Sequence, residues 1–228
     1  MITNSSVIVL KRFPYGDSSI IARCFARNNG KLSFIAHGAR SKKSPRSAHF
    51  QPTSCLDLVY YYKPSKNLQT VSKSSFAITW KTIPKNFKKI TFSMALLELT
   101  DKCLGENDPH LDLYDELFNA LNAIDNNTKN DNLIFWYYQY QLLNKLGFKP
   151  DFSQKDQANT PLPNPYGSIN SKTIFDCFEN SNSGFSENLS LSSNDRKIIS
   201  NYLNTCLKIH FEGIDNFKTL KFMKETLG

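Results

Sequence analysis

Acidic residues are scarce in the first part of this chain. Residues 1–90 contain 16 lysines and arginines but only two acidic residues, Asp17 and Asp57. Residues 91–228 contain 12 basic and 18 acidic residues, so local charges of +14 and −6 make up the formal charge of +8. This asymmetry predicts a basic module with a polyanionic partner, joined to a mildly acidic module.

The sequence also lacks the signs of an oxidised, secreted or membrane-spanning protein. Its five cysteines are widely spaced and form no CxxC pair, which favours reduced thiols in a cytosolic protein. No apolar stretch reaches the roughly 18 residues of a transmembrane helix. The first 13 residues do not resemble a secretory leader, because the apolar run Val7–Leu10 is short and its charges follow it. We therefore expect no membrane association.

Catalytic signatures are missing as well. There is no GxxxxGK[ST] loop for a nucleotide phosphate. Two carboxylates in the basic module are too few for the metal site of a typical nuclease. The four histidines have no paired spacing, and we interpret His37 as a phosphate or base contact. The sequence predicts a binding protein that is not an enzyme and has no cofactor.

The first third of the chain reads as β-structure. The segment 19–27 alternates, with Ile20, Ala22, Cys24 and Ala26 on one face. Because no helical crossover separates the strands, they predict a small barrel rather than an α/β sheet. The predicted strands cover residues 6–13, 19–27, 31–38, 53–63 and 68–80.

After Pro84 the apolar period becomes helical. Helices are predicted around residues 90–103, 111–124 and 131–146, after the cap sequence 192–195, and in a final segment at 216–227. Residues 151–192 are rich in Ser, Asn, Pro and Asp and are predicted to be an irregular insert. The predicted fold is α+β and multidomain: a barrel domain over 1–82 and an α-helical domain over 83–228.

The basic module carries the candidate site. Between Asp17 and Asp57 there are seven cations and no acid, and Arg23 and Arg27 flank Phe25 on one strand face. Cations that follow a phosphate chain, with rings on which bases stack, are typical of single-strand binding by an OB-fold. Two simpler interpretations stay open: a solvated charged surface, and Phe25 and Phe34 as barrel core. The predicted contacts are Arg12, Arg23, Arg27, Lys31, His37, Arg40, Lys42, Lys43 and Arg46.

An ordered set of motifs resembles the RecO family of bacterial recombination mediators. Tyr15-Gly16-Asp17 resembles its YGE-type turn, and Gly30–Ser33 and Gly38–Arg40 resemble the hairpin and the KGAR-like strand end. Further matches are the QP pair at 51–52, SMALLELTDKCL at 93–104, LLNKLGFKPDF at 142–152 and FKTLKFMKETL at 217–227.

The resemblance implies an N-terminal OB-fold, a helical domain, and a cytoplasmic, nucleoid-associated role in DNA repair and recombination. Members of that family bind single- and double-stranded DNA, anneal complementary strands and help to load the recombinase onto DNA coated by single-strand-binding protein. The implied partners are RecR and the acidic tail of the single-strand-binding protein. Many relatives also carry a four-cysteine zinc module after the LGxxP segment. Here residues 151–192 hold only Cys177, so we expect no metal.

The acidic tail would need an apolar groove with a cationic rim. Lys102, Lys145 and Lys149 are the candidates, although each is equally well explained as an ordinary surface lysine. Two other functions remain open from the residues alone. One is an RNA-binding OB-fold protein, and the other is an adaptor that binds only proteins through its basic face.

Overall fold

A computed structural model of the chain describes residues 1–41, 44–126, 131–150, 152, 162–180, 190–219 and 222. The chain divides into two compact units. The first comprises residues 1–126 and the segment from Lys218 onward, and the second comprises residues 127–217. The boundaries of these two units reflect contacts within each unit. The predicted division into domains at residue 82 stays a prediction.

Five strands form a closed barrel in the first unit. They are β1 (Ile2–Tyr15), β2 (Ser19–Ala26), β3 (Gly30–Ala36), β4 (Cys55–Tyr61) and β5 (Leu68–Ile78). Their order around the barrel is β1, β2, β3, β5, β4, with β3 and β5 parallel and the other neighbours antiparallel. The predicted α+β class, a five-stranded barrel followed by helices, is confirmed.

The two faces of β2 divide as its sequence predicts. Ile20, Ala22, Cys24 and Ala26 lie in the barrel core, and Val7 and Val9 of β1 lie beside them. The odd-numbered residues of β2 therefore project from the outer face, since side chains alternate along a strand.

A bulge interrupts β1 at Leu10. Val9 pairs with Cys24, but Lys11 pairs with Arg23, so Leu10 is the extra residue. The bulge explains why this strand alternates poorly in sequence. Beyond it, residues 11–18 are all exposed, and the end of β1 continues with β2 as a ribbon.

Two helices of the first unit follow the barrel: α1 (Phe87–Cys103) and α2 (Leu111–Asn126). The apolar residues predicted to share one face of α2 include Leu117, Leu121 and Ile124, and all three are buried. Near the end of α2, Asp125 is 5% exposed and its carboxylate accepts the backbone N–H groups of Lys81, Thr82 and Ile83 at 2.7–2.9 Å. This carboxylate ties the end of α2 to the connection between β5 and α1.

The second unit contains α3 (Asp131–Lys145), α4 (Ile169–Glu179) and α5 (Ser193–His210). Ser192 and Asp195 form a capping box at the start of α5, at the position that the sequence predicts. Phe152, Phe175 and Tyr202 form a ring cluster with centroid separations of 4.8–5.5 Å. This cluster contributes to the core of the unit.

The prediction that residues 151–192 are irregular is wrong for the part that folds as α4. Ser168 caps this helix in a box with Ser171, and Ile174, Phe175 and Phe178 are buried. The polar composition of residues 151–192 does not indicate a helix, although the apolar residues of α4 lie on one side of it. Residues 151, 153–161 and 181–189 of the insert lie outside the described residues.

The end of the chain returns to α1. Residues 218, 219 and 222 are helical, and the other residues of the predicted terminal helix after 219 lie outside the described part. The Glu98 carboxylate accepts the backbone N–H groups of Lys218 and Thr219 at 3.2 and 2.9 Å. It also accepts the Thr219 hydroxyl at 2.7 Å. This geometry is that of a helix start capped by an acid from another helix.

Replacing Asp125 with Asn should destabilise the chain by about 1–3 kcal/mol at pH 7, because an amide cannot accept the same set of buried N–H groups. Burial raises the pKa of Asp125, but hydrogen bonds from Ile83, Lys81 and Thr82 outweigh it and hold the pKa below its ordinary 3.8. The stabilisation is therefore present above pH 3.8 and is lost as the pH falls through the lower folded-state pKa.

Urea unfolding at pH 7 and at pH 3 measures both effects. Asp17→Asn, at an exposed position, is the control and should change little. A gap between wild type and Asp125→Asn that does not narrow in acid would contradict the assignment.

Candidate nucleic-acid interface

Three of the predicted DNA contacts, Arg23, Arg27 and Lys31, form ion pairs with carboxylates of the chain itself. Arg27 pairs with Asp115 of α2 through two parallel contacts, Nε to Oδ1 at 3.1 Å and Nη2 to Oδ2 at 2.9 Å. These contacts, together with the Coulombic attraction of Asp115, raise the pKa of Arg27. A guanidinium held in this bidentate way already has the partner geometry that a phosphate would offer.

Arg23 and Lys31 share two other carboxylates. Arg23 Nη1 lies 3.2 Å from Oδ1 of Asp101, and its Nη2 lies 3.7 Å from Oε1 of Glu106. Lys31 is 6% exposed, and its Nζ donates to the Asp101 carbonyl at 2.7 Å. The same ammonium lies 3.8 Å from the Asp101 carboxylate and 3.7 Å from that of Glu106.

The ring between these cations belongs to the packed interior. Phe25 is fully buried and meets Tyr114 of α2 edge to face, with centroids 5.5 Å apart. The connection between α1 and α2 comes so close to the β2–β3 turn that a Cβ on Gly30 would lie 2.1 Å from the Asp108 carbonyl oxygen. The interpretation as barrel core is correct for Phe34. Phe25 is also buried, but it lies outside the barrel core, between the outer face of β2 and α2.

The outer face of β2 and β3 is therefore half covered. OB-folds commonly use the face of strands 2 and 3 for nucleic acid, but here α1 and α2 occupy part of it. No acid lies near Arg23, Arg27 and Lys31 in the sequence, but α1, α2 and their connection supply carboxylates to all three. Their assignment as DNA contacts stays a prediction, and their observed contacts are with carboxylates.

The uncovered half lies on the ribbon that follows the bulge. Lys11 pairs with Arg23, Phe13 with Ile21 and Tyr15 with Ser19, so these side chains continue the outer face. Phe13 and Tyr15 are 41% and 52% exposed, and Lys11 Nζ lies 5.4 Å from the centre of the Phe13 ring. We call the group around this ribbon the hairpin surface; it comprises Lys11, Phe13, Tyr15, His37 and Arg40, together with Arg12, which pairs with Ala22 and so lies on the opposite face of the ribbon.

The loop after β3 adds two members to the hairpin surface. His37 Nδ1 lies 3.2 Å from the Ser19 hydroxyl. The Arg40 backbone N–H donates to the Ser18 carbonyl and its Nη1 donates to the Gly16 carbonyl, both at 2.8 Å. These bonds fix an exposed guanidinium at the tip of the ribbon. Within the described ranges, Lys11, Arg12 and Arg40 form no ion pair.

The remaining predicted contacts are distributed further along the loop. Lys42 and Lys43 lie outside the described residues. Arg46 is half-buried, and its Nη2 donates to the Ser72 carbonyl of β5 at 2.9 Å. His37 and Arg40 are thus the predicted residues that the structure brings together at the ribbon tip, while Arg12 belongs to the same ribbon but lies on its opposite face. Lys11, Phe13 and Tyr15 were not predicted, although KRFPY just before the turn places two cations close to two aromatic residues.

The three lysines proposed for an acidic tail lie in different units. Lys102 of α1 is in the first unit, 3.9 Å from Glu98. Lys145 and Lys149 are exposed in the second unit on either side of Phe148. The Phe148 ring is 37% exposed and stacks on His210, with centroids 4.3 Å apart. The second unit thus has an aromatic surface flanked by two cations, and the role of all three lysines stays a prediction.

Buried cysteines are poorly suited to nucleophilic chemistry. Burial raises the pKa of Cys55 to about 12 and that of Cys206 to about 11, so these thiols are protonated near neutral pH. Among the described residues, no three histidine, cysteine or acidic side chains are grouped as metal ligands. The described helices also lack an apolar stretch of the length that a membrane span requires.

Two regions of the chain match known protein families. Residues 1–78 match the family described as recombination protein O N terminal, and residues 84–204 match recombination protein O C terminal. The chain belongs to the RecO family. The two matches divide the chain between the barrel and the helices that follow, in accord with the OB-fold and helical regions of RecO.

Individual relatives carry the name DNA repair protein RecO. The Salinibacter ruber protein is 32% identical over 149 residues, which is 65% of this chain and 57% of that relative. The Chloroherpeton thalassium protein is 29% identical over 68% of this chain and 60% of its own. The chain therefore spans less than two thirds of both relatives. The Flavobacterium psychrophilum protein is 25% identical over 98% of both chains.

Replacing Asp101 with Asn should lower the free energy of unfolding by about 1–3 kcal/mol, because Arg23 loses its charged hydrogen-bond acceptor and the buried Lys31 loses one of its two carboxylates. Glu106→Gln is the matched control. Its carboxylate is 49% exposed, so its loss should cost less than about 1 kcal/mol. Urea unfolding of both variants measures the difference, and equal losses would show that Asp101 does not hold the interface.

Proposed function

We propose that this RecO-family chain is a non-catalytic DNA-binding recombination mediator whose barrel holds single-stranded DNA on the hairpin surface. One observation carries the proposal: exposed rings and cations that form no ion pair among the described residues lie together at the ribbon tip. Phe13 and Tyr15 offer faces to bases, and Lys11 and Arg40 offer charge to phosphates. Arg12 adds a further exposed cation from the opposite face of the ribbon. Sequence-independent single-strand binding uses this combination.

Strand annealing follows from the same chemistry. Two complementary strands repel each other through their phosphates, and cations that neutralise part of that charge lower the repulsion. Stacking on Phe13 and Tyr15 would hold bases apart from their own neighbours without selecting a sequence, because every base has a π-face. The proposal extends to duplex DNA, whose phosphates provide the same charge.

The second unit supplies the proposed link to coated DNA. An acidic peptide tail ending in an aromatic residue would place its ring against Phe148 and His210 and its carboxylates near Lys145 and Lys149. We propose this contact with the tail of the single-strand-binding protein, together with RecR as a further partner. Their joint effect is handover of the DNA to the recombinase, in the cytoplasm at the nucleoid.

Two alternatives give different results. An RNA-binding OB-fold protein would prefer RNA in competition between DNA and RNA oligonucleotides of equal length. A protein-only adaptor would have no measurable DNA affinity at low salt. Membership of the RecO family favours DNA over both, because the relatives are named as DNA repair proteins.

Replacing Lys11, Arg12 and Arg40 with Ala should flatten the dependence of affinity on salt. Each lost phosphate contact on single strands reduces the log–log slope by about 0.7, so the triple variant should lose about two units. Titration of a labelled oligonucleotide at four salt concentrations measures the slope. The matched control removes three exposed cations of the second unit, Lys172, Arg196 and Lys197. Equal slopes in both variants would reject the hairpin surface.

The tail proposal requires a different assay. Annealing of complementary strands coated with the cognate single-strand-binding protein should slow when Lys145 and Lys149 are replaced with Ala, since the partner's tail loses its cationic rim. Annealing of naked strands should keep its wild-type rate, and Lys172→Ala with Lys197→Ala should affect neither reaction. A variant that is impaired equally on naked strands would place these lysines on the DNA path instead.

A further inference from the structure

Arg23 lies at the boundary between the covered and uncovered halves of the outer face. It pairs across the strands with Lys11 of the hairpin surface, and its side chain is 35% exposed. Directly opposed cations on one sheet face repel each other. The carboxylates beside Arg23 relieve that repulsion, so Arg23 is held between the helices on one side and the hairpin surface on the other.

The two carboxylates near Arg23 differ in their exposure to solvent and in their distance from the guanidinium. Asp101 is 12% exposed and lies 3.2 and 3.4 Å from Nη1 through its two oxygens. Glu106 is 49% exposed and lies 3.7 Å from both Arg23 Nη2 and Lys31 Nζ, in each case beyond hydrogen-bond distance. Asp101 is therefore a fixed structural partner. Glu106 is a loose, solvated partner, and such exposed pairs contribute little to stability.

We propose that Glu106 occupies a phosphate position on Arg23 and gives way to the DNA backbone when a strand binds. The inference rests on the proposed function, since the strand must already lie on the hairpin surface beside Lys11. Asp101 keeps Nη1 and anchors the side chain, while Nη2 exchanges one anion for another. Arg23 then extends the phosphate path of the hairpin surface by one position, and Glu106 weakens that position in the free protein.

Ion release makes the exchange measurable. In the wild type, a phosphate that binds Arg23 releases a counterion from DNA, while the displaced Glu106 attracts cations from solution, which offsets part of that release in the salt slope. Without the carboxylate only the release remains. Glu106→Gln should therefore bind single-stranded DNA more tightly at low salt, with a slope steeper by up to about 0.7.

The decisive experiment is a double-mutant cycle on that slope, with Glu106→Gln, Arg23→Gln and the combined variant. Arg23→Gln alone should weaken binding and flatten the slope by no more than about 0.7, and the combined variant should show no gain from Glu106→Gln. Asp108→Asn, an exposed acid in the same turn, removes an equal charge away from Arg23 and should leave the slope unchanged. A gain that persists without Arg23 would reveal a general field effect and overturn the exchange.

The comparison of Glu106→Gln with Asp108→Asn uses the intact Arg23 and stands even if Arg23 variants fold poorly. Equal slopes for these two variants would overturn the inference by themselves. The variant with Lys11, Arg12 and Arg40 replaced by Ala distinguishes a failure of the exchange at Arg23 from a failure of DNA binding at the hairpin surface. If it flattens the slope while Glu106→Gln matches the wild type, DNA binding at the hairpin surface holds and only the exchange fails. If it changes nothing, the proposed function itself fails.

Discussion

The first unit depends on the meeting of barrel cations with helix carboxylates. The barrel cations are Arg23 of β2, Arg27 of the β2–β3 turn and Lys31 of β3. They face Asp101, Glu106 and Asp115 from α1, α2 and their connection. Phe25 and Tyr114 pack between these pairs, so apolar burial and charge pairing coincide on one surface. The opposite charges of the two parts of the sequence are thus partly an internal complementarity, and only the remainder is available to an external polyanion.

That constraint decides where nucleic acid can bind. A five-stranded barrel of this kind usually offers the face of strands 2 and 3, yet part of this face is enclosed by the chain's own helices. The bulge at Leu10 restores an alternative, since it turns Lys11, Phe13 and Tyr15 onto the same face beyond the helices. A single extra residue in β1 therefore determines which side chains continue the exposed surface.

Local sequence patterns predicted the elements well and their partners poorly. The alternation of β2 identified the core side of the barrel, and the cap at Ser192 located the start of α5, because both signals lie within a few neighbouring residues. Arg23 and Arg40 look alike in sequence. In the structure Arg23 pairs with Asp101, which lies 78 positions away in the sequence, whereas Arg40 forms no ion pair among the described residues. No local sequence pattern contains that information. The helix α4 was missed because its short apolar stripe lies in a polar, proline-containing segment.

The contact of Glu98 with Lys218 and Thr219 has a consequence for biosynthesis. Residues on both sides of the second unit belong to the first unit, so the second unit is inserted in the chain between parts of its neighbour. A ribosome delivers the barrel, α1 and α2 long before it delivers residues 218 and 219. The barrel side of the molecule can collapse early, but the capping of the terminal segment must wait until about ninety further residues have emerged, as expected for a contact of high sequence separation.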